Sequence, residues 1–189
     1  MEKHEEIPIL VTGHYLLRGL TENDAEDLFP MLSNQETMKF ITPHPAKNVT
    51  EICEEIRDSL SKYHQKKEIP WIIIDKETNR FIGMFRFHKL NLWHKKAEMG
   101  VVISKENQGR GVMTEILPVL LQYGFSEMHL NRIVGDIFSG NKGSKKLLEK
   151  NGFRKEGTLR QTDFDGEKYH DTIVYSLLKH EFHTLHQLD

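Results

Sequence analysis

The stretch from Lys96 to Glu115 joins a β-branched run, two glycines and the beginning of a helical repeat. Val101 to Ile103 predicts a strand. Gly109 and Gly111 lack a Cβ, so backbone N–H groups there can approach a ligand closely. A helix N-terminus adds free N–H donors and the positive end of the helix dipole. The spacing therefore predicts that an anion, most simply a pyrophosphate, binds between Gln108 and Met113.

Two familiar phosphate-binding motifs do not fit this loop. The dinucleotide-binding pattern needs a third glycine where Thr114 stands, and the nucleoside-triphosphate loop needs a Gly-Lys-Ser/Thr sequence that is absent here. The structural alternative is a glycine turn that only connects a strand to a helix.

The pattern along the chain predicts the elements that hold this loop. Strands are predicted at residues 14–20, 71–75, 81–88, 96–103, 132–138, 158–164 and 168–177, with helices after Thr21, after Thr50, after Gly111 and up to Asn151. Pro43 and Pro45 predict a loop from Phe40 to Val49. Strands in succession, together with strands joined through helices, predict a mixed sheet with helices on both faces.

Two residues bear on the shape and the packing of these predicted helices. Pro118 falls inside the helix after the glycine loop, where a proline costs roughly 3 kcal/mol, so we expect a bend or a helix that begins later. Cys53 falls on the apolar face of the helix after Thr50, and we expect it to pack as a small hydrophobe.

Composition limits the class of protein. The chain has 189 residues, of which 38% are hydrophobic and 29% charged, which suits one domain spanning the chain. The net charge of −2 gives no reason to expect nucleic acid or an anionic membrane as the main partner. The lone cysteine and the lack of a signal-like or membrane-spanning apolar run predict a cytoplasmic protein. The oligomeric state is left open, a homodimer included.

Four segments together resemble the GNAT superfamily of N-acetyltransferases. Gln108 to Met113 is similar to the family's Gln/Arg-x-x-Gly-x-Gly/Ala loop, except that Met113 replaces the final small residue. Asn141 to Phe153 resembles the second signature, and Leu16 to Ala25 the opening strand and helix. His170 to Leu177 resembles the last strand of the ribosomal-protein N-terminal (Rim-type) branch. The resemblance covers nearly the whole chain and implies an α/β (α+β) GNAT fold, with a mostly antiparallel sheet of about seven strands.

The resemblance implies acetyl-coenzyme A (acetyl-CoA) as acetyl donor, with its pyrophosphate on the glycine loop and its thioester beside the preceding strand. It places at the cofactor the residues Val101, Val102, Ile103, Gln108, Gly109, Arg110, Gly111, Val112, Met113, Asn141 and Lys146. Asn141 is expected to bond the pantetheine amides, its alternative being a helix cap. Lys146, with Lys142 and Lys145, is expected to meet the ribose phosphate, the alternative being a solvated lysine face.

Acetyl transfer needs a neutral attacking amine, a proton acceptor, an oxyanion donor and a proton for the leaving thiolate. Glu98, before the loop, and Glu106, at the strand end and facing the same cleft, are the predicted bases, since the Rim-type branch has acids at both places in different members. Ser144 is the predicted proton donor, because Leu148 stands where many relatives carry tyrosine. A solvated Glu98 and a helix-capping Ser144 are the alternatives.

These residues predict an acetyl-CoA-dependent N-acetyltransferase in which a primary amine attacks the thioester directly, without a covalent enzyme intermediate. The predicted acceptor is a protein N-terminus, as in the Rim-type branch. A small amine, such as a polyamine or an aminoglycoside, is the alternative with the same chemistry. A CoA-binding regulatory module that has lost catalysis is the alternative from a different class.

The histidines give two further predictions. His180, His183 and His186 are spaced by three, but no carboxylate or cysteine completes a ligand set, so we expect no metal and a solvated terminal helix. His170, beside Asp171, is hypothesised to bind substrate.

Overall fold

A computed structural model describes residues 6–186, which are organised around an eight-stranded sheet. The elements are β1 (Leu10–Val11), β2 (Tyr15–Gly19), α1 (Ala25–Leu32), α2 (Gln35–Met38), α3 (Val49–His64), β3 (Ile69–Asp75), β4 (Phe81–Asn91), β5 (Lys96–Ile103), α4 (Val112–Gln122), β6 (Arg132–Phe138), α5 (Lys142–Lys150), β7 (Arg154–Phe164), β8 (Tyr169–Leu178) and α6 (Lys179–His186). The strand order is β1-β2-β3-β4-β5-β6-β8-β7. Neighbouring strands are antiparallel except for β5 and β6, which run parallel.

The predicted mixed, mostly antiparallel sheet is confirmed, with eight strands rather than about seven. The additional strand is β1, whose Leu10 and Val11 pair with Leu17 and Leu16 of β2. Two residues are too few to produce the alternation on which a strand prediction depends. The four-residue helix α2 was missed for the same reason, since it is a single turn.

Helices pack on both faces of the sheet, as predicted. On one face, α4 buries Ile116 and Leu120 in a core that includes Phe85 and Phe87 of β4. On the other face, α1, α2 and α3 enclose a second core that includes Ile72 of β3. Because side chains alternate along a strand, the residues of β4 and β5 between these core positions face the α3 side.

The helix beginnings agree in part with the sequence prediction. Thr21 forms the predicted capping box, and its backbone N–H donates to Asp24 Oδ2 at 2.7 Å. The prediction that Thr50 caps α3 is wrong. Asn48 is the cap, because its side-chain Oδ1 accepts from the Glu51 N–H at 3.0 Å and Val49 already begins the helix.

Pro118 lies inside α4, which begins at Val112, so of the two alternatives, a bend or a later start, the later start is excluded. At its C-terminal end, α4 continues into a wider π-helical turn formed by Tyr123 to Glu127. The Met128 N–H donates to the Tyr123 carbonyl there at 3.1 Å.

The C-terminal helix α6 is only partly solvated. Phe182 is buried, and its ring centroid lies 5.1 Å from that of Phe125. Cys53 is half-buried and packs against the core of the α3 face, in line with the prediction. Among residues 6–186, no helix is both long and apolar enough to span a bilayer.

Candidate active site

The parallel pair β5–β6 opens into a cleft halfway along its length. Cα pairing runs from Lys96↔Arg132 to Glu98↔Val134 and then stops, although β5 continues to Ile103 and β6 to Phe138. On its other side β5 stays paired with β4 as far as Ile103. The strands therefore diverge, which leaves one backbone edge of β5 free of a strand partner beyond Glu98.

The glycine loop ends in an uncapped helix N-terminus. Gly109 and Gly111 have φ values of 73° and 85°, a left-handed conformation that glycine adopts without a Cβ penalty. In the described part of the chain, the first amide after Gln108 with a recorded acceptor is that of Glu115, which donates to the Gly111 carbonyl at 3.1 Å. The amides from Gly109 to Thr114 are therefore available to an anion at the positive end of α4.

Side chains hold this loop from both ends. The Gln108 Nε2 donates to the Ile103 carbonyl at 3.0 Å, which ties the loop to the end of β5. Glu115, in the first turn of α4, accepts from Thr12 Oγ1 at 2.6 Å and from the His14 N–H at 2.8 Å. The hydrogen bond from Thr12, followed by that from the His14 amide, lowers the pKa of Glu115 to about 2.

The loop, the end of β5 and the N-terminus of α5 line a groove of about 610 Å³, which we call the glycine-loop groove. Its lining includes most of the predicted cofactor residues, namely Val101, Val102, Ile103, Gln108, Gly109, Gly111, Val112, Met113, Asn141 and Lys146. Arg110 is exposed and does not line this groove. Lys142 and Lys145 do not line it either, whereas Lys150 does.

Ser144 and Asn141 take different parts in this groove. Asn141 caps α5, because its Oδ1 accepts from the Ser144 N–H at 3.0 Å. Ser144 is therefore inside the first helical turn rather than the cap, and it lines the groove. Leu148 is buried and packs over Gly135 of β6, so it faces the core rather than the groove.

A second groove, of about 650 Å³, lies on the α3 side of the sheet. Five carboxylates line it, which is why we call it the acidic groove: Glu55, Asp58, Glu98, Asp136 and Asp163. Phe40, Ile41, Val101 and Val102 line both grooves, so the two grooves meet at the diverging part of β5. A molecule bound along the loop and a molecule bound among the carboxylates would meet at that point.

The cations of the acidic groove are engaged with carboxylates. Lys89 Nζ lies 2.7 Å from Glu98 Oε2. Arg86 Nη1 lies 3.7 Å from Oε1 of the buried Glu68, which also accepts from Ser59 Oγ at 2.5 Å. The acidic groove therefore presents more negative than positive charge to a ligand.

The two predicted bases are placed differently. Glu98 lines the acidic groove and is half-buried. Glu106 is exposed on a short turn from Lys105 to Asn107 and lines neither groove, so the expectation that it faces the cleft is wrong. The backbone turns at the buried Ser104, whose carbonyl accepts from the Asn107 N–H at 2.9 Å, and this turn carries Glu106 away from the strand direction.

Sequence reasoning did not single out two titratable residues of the acidic groove, His88 and Asp136. Burial, and then the charge of Arg86, lower the pKa of His88 to about 4, so its imidazole is neutral at pH 7. Partial desolvation, and then the charge of Glu98, raise the pKa of the Asp136 carboxyl. Strand parity could have found both, since each is a polar residue on the face of its predicted strand that Glu98 also occupies.

His170 lies outside this groove and makes structural contacts. His170 is paired with Asp165 in the β7–β8 hairpin, and its ring centroid lies 5.0 Å from that of Phe138. It does not line either groove, so its predicted contact with substrate has no geometric support. Within residues 6–186, no group of three histidine, cysteine or carboxylate side chains is arranged to hold a metal ion.

Known proteins are similar to this chain in sequence and in fold. The family profile of the acetyltransferase (GNAT) domain matches residues 14–154. The uncharacterized N-acetyltransferase YoaA of Bacillus subtilis is 36% identical over 172 residues, covering 91% of this chain and 97% of that protein. The ribosomal-protein-serine acetyltransferase of Escherichia coli is 24% identical over 171 residues, covering 89% and 94%. The crystal structure of spermidine N-acetyltransferase from Vibrio cholerae in complex with CoA and spermine has a TM-score of 0.80 at 24% identity, covering 89% and 98%.

Proposed function

Because this chain belongs to the acetyltransferase (GNAT) domain family, we propose that it acetylates a primary amine, with the N-terminal α-amine of a protein or peptide as acceptor. The family and the relatives make the chain an N-acetyltransferase with acetyl-CoA as acetyl donor. The observation that carries the proposal is the meeting of two unlike grooves at Val101 and Val102. One groove offers backbone amides to phosphate, and the other offers carboxylates to an amine.

The glycine-loop groove suits the donor. The free amides from Gly109 to Thr114 would hold the pyrophosphate, and Asn141 and Lys146 would contact the rest of the CoA chain. The thioester would then lie beside Val101 to Ile103, where the free edge of β5 can supply a backbone N–H to the developing oxyanion. Ser144, at the same groove, would give a proton to the leaving thiolate.

The acidic groove suits an N-terminal amine. Its 650 Å³ is within the range of pockets that bind small molecules or short peptide segments. An α-amine has a pKa of about 8, against about 10.4 for a lysine side chain, so more of it is neutral and nucleophilic at pH 7. The groove also contains Arg86 and Lys89, whose remaining N–H groups could donate to the carbonyl groups of a peptide. The Escherichia coli relative named for ribosomal-protein serine adds support.

A polyamine is the second candidate acceptor, and the five carboxylates favour it. Several ammonium groups along one chain would each find a negative partner in such a groove. The Vibrio cholerae enzyme of the same fold is named for spermidine and was crystallised with spermine. A cytoplasmic location stays a prediction from the lone cysteine and from the lack of a signal-like or membrane-spanning apolar run in the sequence.

The test is an acceptor panel scored for acetyl transfer. Peptides with free and with blocked N-termini, spermidine, spermine and an aminoglycoside are incubated with acetyl-CoA, and both CoA thiol release and the mass of the product are measured. Transfer to free N-termini but not to blocked peptides supports the proposal. Transfer confined to polyamines selects the second candidate. Tight CoA binding with no transfer to any amine would favour a regulatory module.

A further inference from the structure

We propose that Asp136 of β6 is the general base of this reaction, the group that takes the proton from the attacking amine. The proposal builds on the amine entering the acidic groove, as proposed above. It replaces Glu98 and Glu106, the two carboxylates that the sequence suggested, with a third that lies closer to the meeting point of the grooves.

The strand register places Asp136 at the cleft. Pairing between β5 and β6 ends at Glu98↔Val134, so Asp136 is the next β6 residue on the same face, beyond the last paired position. If the pairing between β5 and β6 continued, Asp136 would lie opposite Gly100. Because β-strand residues are spaced by about 3.3 Å, Asp136 lies level with a point about 7 Å further along β5 than Glu98. That direction leads to Val101 and Val102, which both grooves share.

Gly100 leaves room for the amine beside Asp136. A Cβ at this position would lie 3.4 Å from Arg86 Nε and 3.6 Å from His88 Cδ2, so these two β4 side chains border the space that a side chain at Gly100 would occupy. Without a Cβ, the space above Gly100 stays open between the β4 side chains and the cleft to β6. Gly100 and Asp136 both line the acidic groove, so a nitrogen above Gly100 would have Asp136 as the carboxylate across the cleft.

The other candidate bases are less suited to the task. Glu98 is ion-paired with Lys89 at 2.7 Å, which occupies one of its two carboxylate oxygens. Glu106 lies outside both grooves. In the described part of the chain, no hydrogen bond or ion pair of the Asp136 carboxylate is recorded, and its raised pKa brings it closer to neutral pH, where a general base works best.

Desolvation is the main cause of the raised pKa of Asp136, and charged and titratable groups that face it from several elements add to or oppose that effect. They are Glu98 on β5, Arg86, His88 and Lys89 on β4, Arg132 on β6 itself, Asp163 on β7, His44 before α3, and Glu55 and Asp58 on α3. Glu98 and Asp163 raise the pKa of Asp136, and Lys89 and Arg132 lower it. His88 is neutral and adds no charge at pH 7.

The reaction step balances without any further reactant. The neutral amine nitrogen attacks the thioester carbon, a C–N bond forms, and the nitrogen becomes positively charged. Asp136 takes one proton from that nitrogen as the C–S bond breaks and the thiolate leaves. The sulfur takes a proton from the Ser144 hydroxyl. The proton held by Asp136 then passes through solvent to restore that hydroxyl. The products are the acetylated amine and CoA with a free thiol.

The experiment compares Asp136→Asn with two other carboxylate variants, using the best acceptor from the panel. Asp136→Asn should lower kcat by about 100-fold or more and remove the enzyme's own contribution to the acidic limb of kcat/KM, so that only the fall caused by protonation of the amine remains. Glu98→Gln should retain the enzyme's contribution to that acidic limb. Asp163→Asn removes the same charge from the same groove, so it should raise the KM for the acceptor and also keep the acidic fall. Asp136→Glu should recover part of the rate.

Three results would overturn the proposal: a kcat of Asp136→Asn within threefold of the wild type, an equal loss in Asp163→Asn, or loss of the acidic limb in Glu98→Gln instead. Unchanged melting temperature and CoA affinity in each variant exclude misfolding as the cause. If the wild-type protein acetylates no amine at all, the proposed function fails before Asp136 is tested, so the two failures are distinguishable.

Discussion

The two grooves that meet at β5 offer different chemical groups to a ligand. The glycine-loop groove uses backbone amides at the beginning of one helix, and the loop that carries them is continuous in sequence. The acidic groove uses side chains from α3, β4, β5, β6 and β7, which are distant in sequence. Backbone recognition depends on conformation, whereas side-chain recognition depends on which residue occupies each strand position.

This difference separates the common part of the reaction from its specific part. Any sequence that keeps two glycines in the left-handed conformation before a helix can present the same amides to phosphate. The acidic groove can change its charge by single substitutions without altering the fold, because its carboxylates project from the surfaces of the elements. Four predictions test this contrast, beginning with the largest expected effect.

Gly111→Asp should weaken CoA affinity by about 100-fold or more, which corresponds to about 2.7 kcal/mol. The new carboxylate would project into the anion site at the beginning of α4 and repel the pyrophosphate. Isothermal titration calorimetry with CoA measures the loss. Gly111→Asn is the matched control, since asparagine has the same size and also tolerates a positive φ. Equal losses in the two variants, or no loss in Gly111→Asp, would contradict the assignment of the loop to phosphate.

Ser144→Ala should lower kcat by about 10- to 100-fold and leave CoA affinity nearly unchanged, because the hydroxyl is expected to act only on the departing thiolate. Steady-state kinetics and CoA titration on the same preparation separate the two effects. Ser139→Ala is the control, since Ser139 is an exposed serine shortly before α5 that lines neither groove. A loss of CoA affinity at constant kcat would instead make Ser144 a binding residue.

Glu55→Gln should raise the KM for the amine acceptor by about two- to fivefold, the size expected for a solvent-exposed ion pair. The CoA affinity should not change, because Glu55 lies only in the acidic groove. The neighbouring Glu54→Gln makes the same charge change outside the groove and serves as control. Identical KM values for Glu55→Gln and the wild type would show that this end of the groove does not contact the acceptor.

Glu115→Gln should have the smallest effect, a melting temperature lower by a few degrees at pH 7. The hydrogen bonds from Thr12 and His14 lower the pKa of Glu115 from its usual 4.5 to about 2 in the folded state, so their stabilisation is present above pH 4.5 and is lost as the pH falls toward 2. The difference in melting temperature between variant and wild type should therefore narrow below pH 4.5. Thermal denaturation from pH 7 to pH 3.5 measures it, and a constant difference would contradict the assigned hydrogen bonds.

The parts predicted well share a local cause. The strand Lys96–Ile103, the helix beginning at Val112 and the capping box at Thr21 depend on residues within a few positions of one another. The predictions that failed depend on tertiary packing, which a window of a few residues does not contain. A two-residue strand exists only through its pairing with β2, and Glu106 is turned away by the buried Ser104.

The sequence alone determined the mixed sheet and the glycine turn before a helix, because β-branched runs, paired glycines and helical spacing act through local backbone preference. Its resemblance to the GNAT signatures indicated the family. Only the tertiary structure decided which carboxylates share a groove. Strand parity is visible in the sequence, but the divergence of β5 from β6 after Glu98 is not, since it arises from the packing of both strands on their neighbours. That divergence brings Gly100 and Asp136 to one cleft, and it joins the two grooves at Val101 and Val102.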